Sequence, residues 1–297
     1  MEAWVWISVA AAGAQTVRFA LQKVLAGATL SPAAATWSRF LWSAPVVWLL
    51  MAIYLSTGQD RAFSLGTGFF LYAITGGLAQ ILGTICTVAL FKSRAFAVGI
   101  TFKKTEVMLT ALLGLAVLGD ALSASGAAFI ALGFVGVVLL SEPPDGGGVF
   151  NRGVALGIAS GVFFAISAIG YRGATLAVDS DDTLLVAGVT LAVVVLFQTV
   201  ALGAWVAARE PGQILATLRS WRTSSLVGLF SLIGSWCWFA AFSLQNAAYV
   251  FAVGQIELIF SLAVGALFFG ERPIARELLG MAVLTVSIIA IALIGSA

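Results

Sequence analysis

Apolar residues run along this chain in long, nearly unbroken blocks. They show neither the strict alternation of half-buried strands nor the narrow stripe of a surface helix. Ten blocks are long enough, at about 20 residues each, to cross a bilayer as helices. They cover approximately 3–24, 32–55, 66–91, 95–118, 123–141, 153–172, 182–208, 224–245, 248–269 and 274–296. Turn chemistry separates them at Thr57-Gly58-Gln59-Asp60-Arg61, Gly119-Asp120 and Gly270-Glu271-Arg272-Pro273. The longest polar break, Ser141-Glu142-Pro143-Pro144-Asp145-Gly146-Gly147-Gly148, lies near the midpoint. The expected organisation is a five-helix half over 1–141, a linker over 142–152 and a second five-helix half over 153–297. The start, Met1-Glu2-Ala3-Trp4, has no basic region and reads as a first membrane helix, not a cleaved signal.

The halves carry an internal repeat. Residues 77–120, displaced by 151 and set ungapped against 228–271, are identical at 10 of 44 positions. The matches include Gly83/Gly234, Cys86/Cys237, Phe91/Phe242, Glu106/Glu257, Gly114/Gly265 and Gly119/Gly270. Apolar composition alone rarely aligns a glutamate, a cysteine and several glycines in one register. An odd number of spans per half makes the halves enter the membrane in opposite directions. The fold expectation is therefore an all-α membrane protein, ten transmembrane helices as two inverted five-helix repeats. In secondary transporters of that design the site lies at the repeat interface near the bilayer midplane.

Composition excludes the main alternatives. Charged residues are 9% and hydrophobic residues 61% of the 297, against about 25% and 45–50% in soluble domains. That is too little charge to cover a water-facing surface. The net charge of +2 offers no basic face for nucleic acid. There is no histidine, which removes histidine metal sites, histidine proton relays and a Ser-His-Asp triad. Cys86 and Cys237 sit in apolar runs and read as packing residues. No cofactor and no metal are expected.

A recognisable pattern runs through the second half: Asn246-Ala247-Ala248-Tyr249-Val250, then Glu257, Phe269-Gly270-Glu271-Arg272-Pro273 and Leu279-Gly280. The first half matches it more loosely through Ser31-Pro32, Arg39, Glu106 and Leu118-Gly119-Asp120. This resembles the ten-helix EamA-type members of the drug/metabolite transporter superfamily. The resemblance implies a central cavity lined by helices 1–4 and 6–9, with helices 5 and 10 peripheral. It also implies export, exchange or import of amino acids and other small metabolites. Two features depart from the family: glutamates stand at 106 and 257 where many members have proline, and Lys103-Lys104 lies inside the fourth span.

Charges inside a membrane span cost about 2.5–3.5 kcal/mol each at the helix centre, so they face a cavity or pair. The embedded charges are Arg18, Arg39, Lys103, Lys104, Glu106 and Glu257. Ser8, Gln15, Arg18 and Gln22 share one face of the first span. Arg18 either meets the substrate or pairs with Glu106 or Glu257. Lys103 and Glu106 are i,i+3 neighbours suited to neutralise each other, whereas Lys104 points elsewhere and needs another partner. Gln80, Thr84 and Thr87 form a stripe whose repeat mates are Ser231, Ser235 and Trp238; Ser160, Phe164, Ser167 and Tyr171 form another.

The candidate substrate-binding set is Gln15, Arg18, Gln22, Gln80, Thr84, Lys103, Lys104, Ser167, Ser235 and Trp238. Glu106 and Glu257 either carry a coupling proton or share a structural task. Four bases against two acids leave two embedded positive charges over, which favours an anionic or zwitterionic ligand. Trp4, Trp6, Trp48, Trp205 and Trp221 read as interfacial anchors, with Trp238 alone kept for substrate stacking. The partners expected are a small solute, the lipid bilayer and a coupling proton or counter-solute, and nothing requires more than one copy of the chain.

The functional expectation is a secondary transporter moving a small polar metabolite, an amino acid or organic anion, by alternating access in a bacterial inner membrane. Export is preferred on the resemblance alone. The alternatives are an anion or phosphorylated-metabolite exchanger and, in another class, a membrane enzyme or lipid-handling protein. For the latter the only acidic cluster is Asp179, Asp181 and Asp182. Loop charges and the resemblance disagree on orientation. Basic residues crowd the loops opposite the termini, which puts the termini outside, while the resemblance implies cytoplasmic termini.

Overall fold

In a computed structural model the chain is described over residues 2–28, 30–57, 62–90, 103–140, 152–260, 263 and 275–294. The glycine-rich linker, the Gly270–Pro273 turn, Phe91, Arg94 and the first residues of the fourth span lie outside them. The helices are α1 (Ala3–Ala28), α2 (Pro32–Thr57), α3 (Phe69–Leu90), α4 (Glu106–Leu113) and α5 (Ala124–Leu140). Then follow α6 (Arg152–Leu176), α7 (Thr183–Arg209), α8 (Pro211–Arg219), α9 (Trp221–Leu244), α10 (Ala247–Gly254) and α11 (Ala275–Ile294). Five of them, α2, α3, α6, α7 and α9, are each long and apolar enough to cross a membrane. Their outer faces carry exposed large side chains such as Leu49, Leu71, Val200 and Leu229. This is the arrangement of an integral membrane protein, in which lipid solvates what water cannot.

The offset of 151 that aligns the central segments also aligns the helices. Displaced by it, Pro32 at the start of α2 falls on Thr183 at the start of α7, and Ala124 of α5 falls on Ala275 of α11. Packing follows the same exchange. The most extensive contacts are α3 on α6, α1 on α9 and α5 on α11. Exchanging each helix for its counterpart converts the first pair into the second and leaves the third unchanged. Small residues permit the approach: a Cβ on Gly170 of α6 would lie 2.6 Å from the Cα of Gly76 in α3.

Four details differ from expectation. The segment between the seventh and eighth spans, expected as a loop, contains the short helix α8. It has a proline at its first position, and Ser31 ties its start to α2 by donating to Glu210. The fourth span is interrupted: residues 104 and 105 form a turn before α4 begins. A π-helical turn, Gly114–Leu118, then ends it at Gly119, whose φ of 69° suits glycine. The ninth span is broken at Gln255 and resumes to Phe260. Two extended residues, β1 (Ser64–Leu65), pair antiparallel with β2 (Val178–Asp179) and clasp the halves at one end. A local apolar count cannot register any of these.

The acidic cluster next to that clasp is engaged structurally. Asp182 caps α7 by accepting from the Leu184 and Leu185 amides, and it also accepts from the Tyr54 hydroxyl at 2.7 Å. Trp4, expected as an interfacial anchor, is instead buried at 2% exposure.

The α3–α6 contact is testable. Gly170→Ala places a methyl group against backbone that cannot turn aside, and should cost about 1–3 kcal/mol in detergent unfolding. Gly27→Ala, where nothing lies within 4 Å of the new Cβ, should be neutral. Equal stability of both variants would contradict the packing.

Candidate functional site

The interruptions in the fourth and ninth spans occupy equivalent places. Under the 151-residue offset Lys103 corresponds to Gly254, Lys104 to Gln255 and Glu106 to Glu257. Both turns keep near-helical backbone: Thr105 has φ −62° and ψ −12°, and Gln255, one residue out of register with it under the offset, has φ −62° and ψ −11°. In membrane helices such breaks are tolerated where they are buried in protein or line a cavity.

Charges gather at these breaks. The Lys103 ammonium donates to Glu106 and lies 3.3 and 3.2 Å from its two carboxylate oxygens. The Lys104 ammonium donates to Glu257 Oε1 at 3.0 Å, which joins the two breaks directly. Glu257 Oε2 accepts from the Gln15 amide at 2.6 Å. Gln15 Oε1 in turn accepts from Trp238 Nε1 at 3.3 Å and from the Arg18 guanidinium at 3.4 Å. The expected Lys103–Glu106 pair is therefore present, and the separate partner that Lys104 needs is Glu257.

A small cavity lies inside this network. Its walls are Gln15, Lys103, Glu106, Phe164, Trp238, Phe251, Gly254, Gln255 and Glu257, with room for about one water molecule. Trp238 closes one wall. It stacks on Phe242 with ring centroids 6.0 Å apart and meets Phe251 edge-on at 5.5 Å. Its ring covers Gly254 so tightly that a Cβ there would lie 2.4 Å from it.

Of the twelve expected residues, five line the cavity: Gln15, Lys103, Trp238, Glu106 and Glu257. Lys104 stands behind the wall in a neighbouring crevice shared with Gln255 and Ser287. Arg18 lies further along α1, donating to Gln22 at 2.7 Å and stacked 4.1 Å over Phe19, while Gln22 donates to the Ala35 carbonyl. Its described hydrogen bonds go to glutamines, and Gln15 bridges it to Glu257.

Thr84 and Ser235, which are repeat mates, both accept from the Arg39 guanidinium at 3.3 Å, and Ser231 accepts from it at 2.9 Å. Gln80 belongs to another cluster, accepting from Tyr171 and from Gln198. Ser167 is buried on α6, outside the cavity lining.

Sequence reasoning missed three contributors. Arg39 stood out as an embedded charge, but nothing local placed it between the two hydroxyl stripes. Gln255 was identifiable as the repeat mate of Lys104. Gln198 gave no signal. At one end of the bundle Arg172 pairs with Asp120 and donates at 2.7 Å to the carbonyls of both Phe242 and Gln245, joining α6, the end of α9 and the turn after α4.

Residues 151–293 match the EamA-like transporter family. That match lies in the second half of the chain. Among curated proteins none matches the chain. A solved crystal structure superposes with a TM-score of 0.73 at 16% identity, covering 99% of this chain and 97% of its own. At that identity the likeness shows the fold alone. The matched family is one of transporters, and the acidic and basic side chains above are interior features of this chain.

The ion pair between the breaks gives a stability test. Lys104→Gln leaves the Glu257 carboxylate without its ammonium and should cost about 3–5 kcal/mol. Lys104→Gln with Glu257→Gln should recover most of that loss in detergent unfolding. Additive losses would mean that the two residues do not interact.

Proposed function

We propose that this transporter is built from ten membrane segments in two inverted five-helix halves, 1–141 and 153–297 about the linker 142–152, and works by alternating access in a bacterial inner membrane. Its substrate is a small polar metabolite, an amino acid or organic anion, moved without a cofactor and with export favoured by the family resemblance. One observation carries the reading: two helix breaks at repeat-equivalent positions meet at a cavity lined by Lys103, Glu106 and Glu257. The exchanged packing, α3 on α6 against α1 on α9, supports two equivalent arrangements of the halves.

The cavity is too small for a metabolite in this arrangement. Binding therefore requires the halves to part, and the parts that separate are the ones joined by Lys104–Glu257 and by Gln15. Gln15, Lys103 and Trp238 contact the substrate first. Lys104, Arg18 and Gln22 set the position of that wall. Thr84 and Ser235 hold Arg39, while Gln80 and Ser167 support α3 and α6. Glu106 and Glu257 exchange their lysine partners for substrate or a coupling proton as the cavity opens.

The assay is flux into proteoliposomes, with labelled amino acids and organic anions, with and without a pH gradient. Wild-type protein should move at least one solute saturably. Gly254→Ala, which forces Trp238 from its seat, and Lys103→Gln should each reduce that flux by about tenfold or more, the loss expected when one charged hydrogen bond is removed. Folded protein that moves nothing across a broad panel would overturn the reading.

A further inference from the structure

Gln255, which lines both this cavity and the crevice behind it, carries one polar atom that the network leaves out. Gln255 is 5% exposed, and its Oε1 has no hydrogen-bond partner among the described residues. Two other buried atoms share that condition, Trp236 Nε1 and Arg276 Nε, and neither residue lines the cavity. The amide cannot be turned round to remove the problem. Its nitrogen donates to the Phe251 carbonyl at 3.1 Å, which requires the oxygen to face the other way. A buried acceptor without a donor is costly unless something supplies one.

The cavity charges narrow what that donor is. Lys103 and Lys104 offset Glu106 and Glu257, so the wall is balanced as it stands. The two basic residues in excess, Arg18 and Arg39, do not line it. A net anion thus has no uncompensated charge to meet among these residues, which leaves the zwitterionic half of the expectation. A neutral zwitterion disturbs the balance least. The Phe164 ring already carries the Lys103 ammonium 4.8 Å from its centroid, and Trp238 and Phe251 add aromatic surface of the kind that favours a cationic group.

We infer that Gln255 is a specificity-determining residue whose side-chain oxygen accepts an N–H from the ammonium group of a zwitterionic substrate, with Lys103 placed for its carboxylate. The inference rests on the transport reading above and deepens it. It separates solutes that share a carboxylate and a carbon skeleton but differ at nitrogen. A primary ammonium donates to Gln255, a trimethylammonium keeps the charge but has no N–H, and a des-amino acid has neither.

The test uses purified full-length protein and tryptophan fluorescence titration with the 20 common L-amino acids as probes. The tightest binder is then compared with its N-trimethyl and des-amino analogues. Both analogues should bind at least about tenfold more weakly, the loss of one charged hydrogen bond. Gln255→Leu should lower affinity for the parent amino acid by a similar factor while leaving the des-amino acid unchanged. Gln255→Glu keeps an acceptor and should retain discrimination against both analogues. Equal binding of the three compounds to the wild type overturns the inference and assigns Gln255 Oε1 to a resident water. So does saturable binding by none of the amino acids. The transport reading falls only if the wider proteoliposome panel also shows no flux.

Discussion

Everything at the centre of this bundle depends on holding charge in a place that has almost no water. A lone buried ion is expensive, and pairing offsets the expense only when geometry is good and the remaining lone pairs are met. Here the two lysines come from one half, and their carboxylates are divided between the halves. Lys103 is neutralised within its own turn of helix, whereas Lys104 must reach across to Glu257. That crossing makes the ion pair a fastener between the breaks. Any parting of the two breaks would have to unpair these charges.

The asymmetry between equivalent positions gives the site its chemistry. Where the first half has Lys103 and Lys104, the second has Gly254 and Gln255. The glycine admits the Trp238 ring, and the glutamine holds a buried acceptor with no partner among the described residues. The two equivalent segments thus give one side that is basic and one that is aromatic and accepting. An exact duplicate would give two identical walls, with like charges opposed across a low-dielectric gap. Divergence at two residues removes that repulsion and produces an amphoteric pocket.

Much of the architecture was legible from the chain. Blocks of about 20 apolar residues are a direct reading of bilayer thickness, so α2, α3, α6, α7 and α9 were expected within a few residues of where they lie. The repeat was visible because Glu, Cys and Gly are rarely matched by chance in apolar sequence. The breaks were not visible, because Lys104-Thr105 and Gln255 interrupt helices without proline, through tertiary context. The short α8 was hidden for a related reason: nine residues with mixed polarity look like a loop until Ser31 ties them to α2. Site residues were legible as faces but not as partners. Helical spacing put Gln15, Arg18 and Gln22 on one side of α1, yet only the three-dimensional arrangement shows Gln15 bridging to Glu257 and Arg39 gathering Thr84, Ser231 and Ser235.

The account's central claim is that the space between the two breaks is the compartment offered alternately to the two sides of the membrane. The direct measurement is thiol accessibility at Phe251→Cys, in a background with Cys86→Ala and Cys237→Ala, in vesicles of each orientation. An impermeant thiol reagent should react from both sides, and a transported solute should slow the reaction from each. Reaction from one side only, or from neither, would contradict alternating access through this cavity.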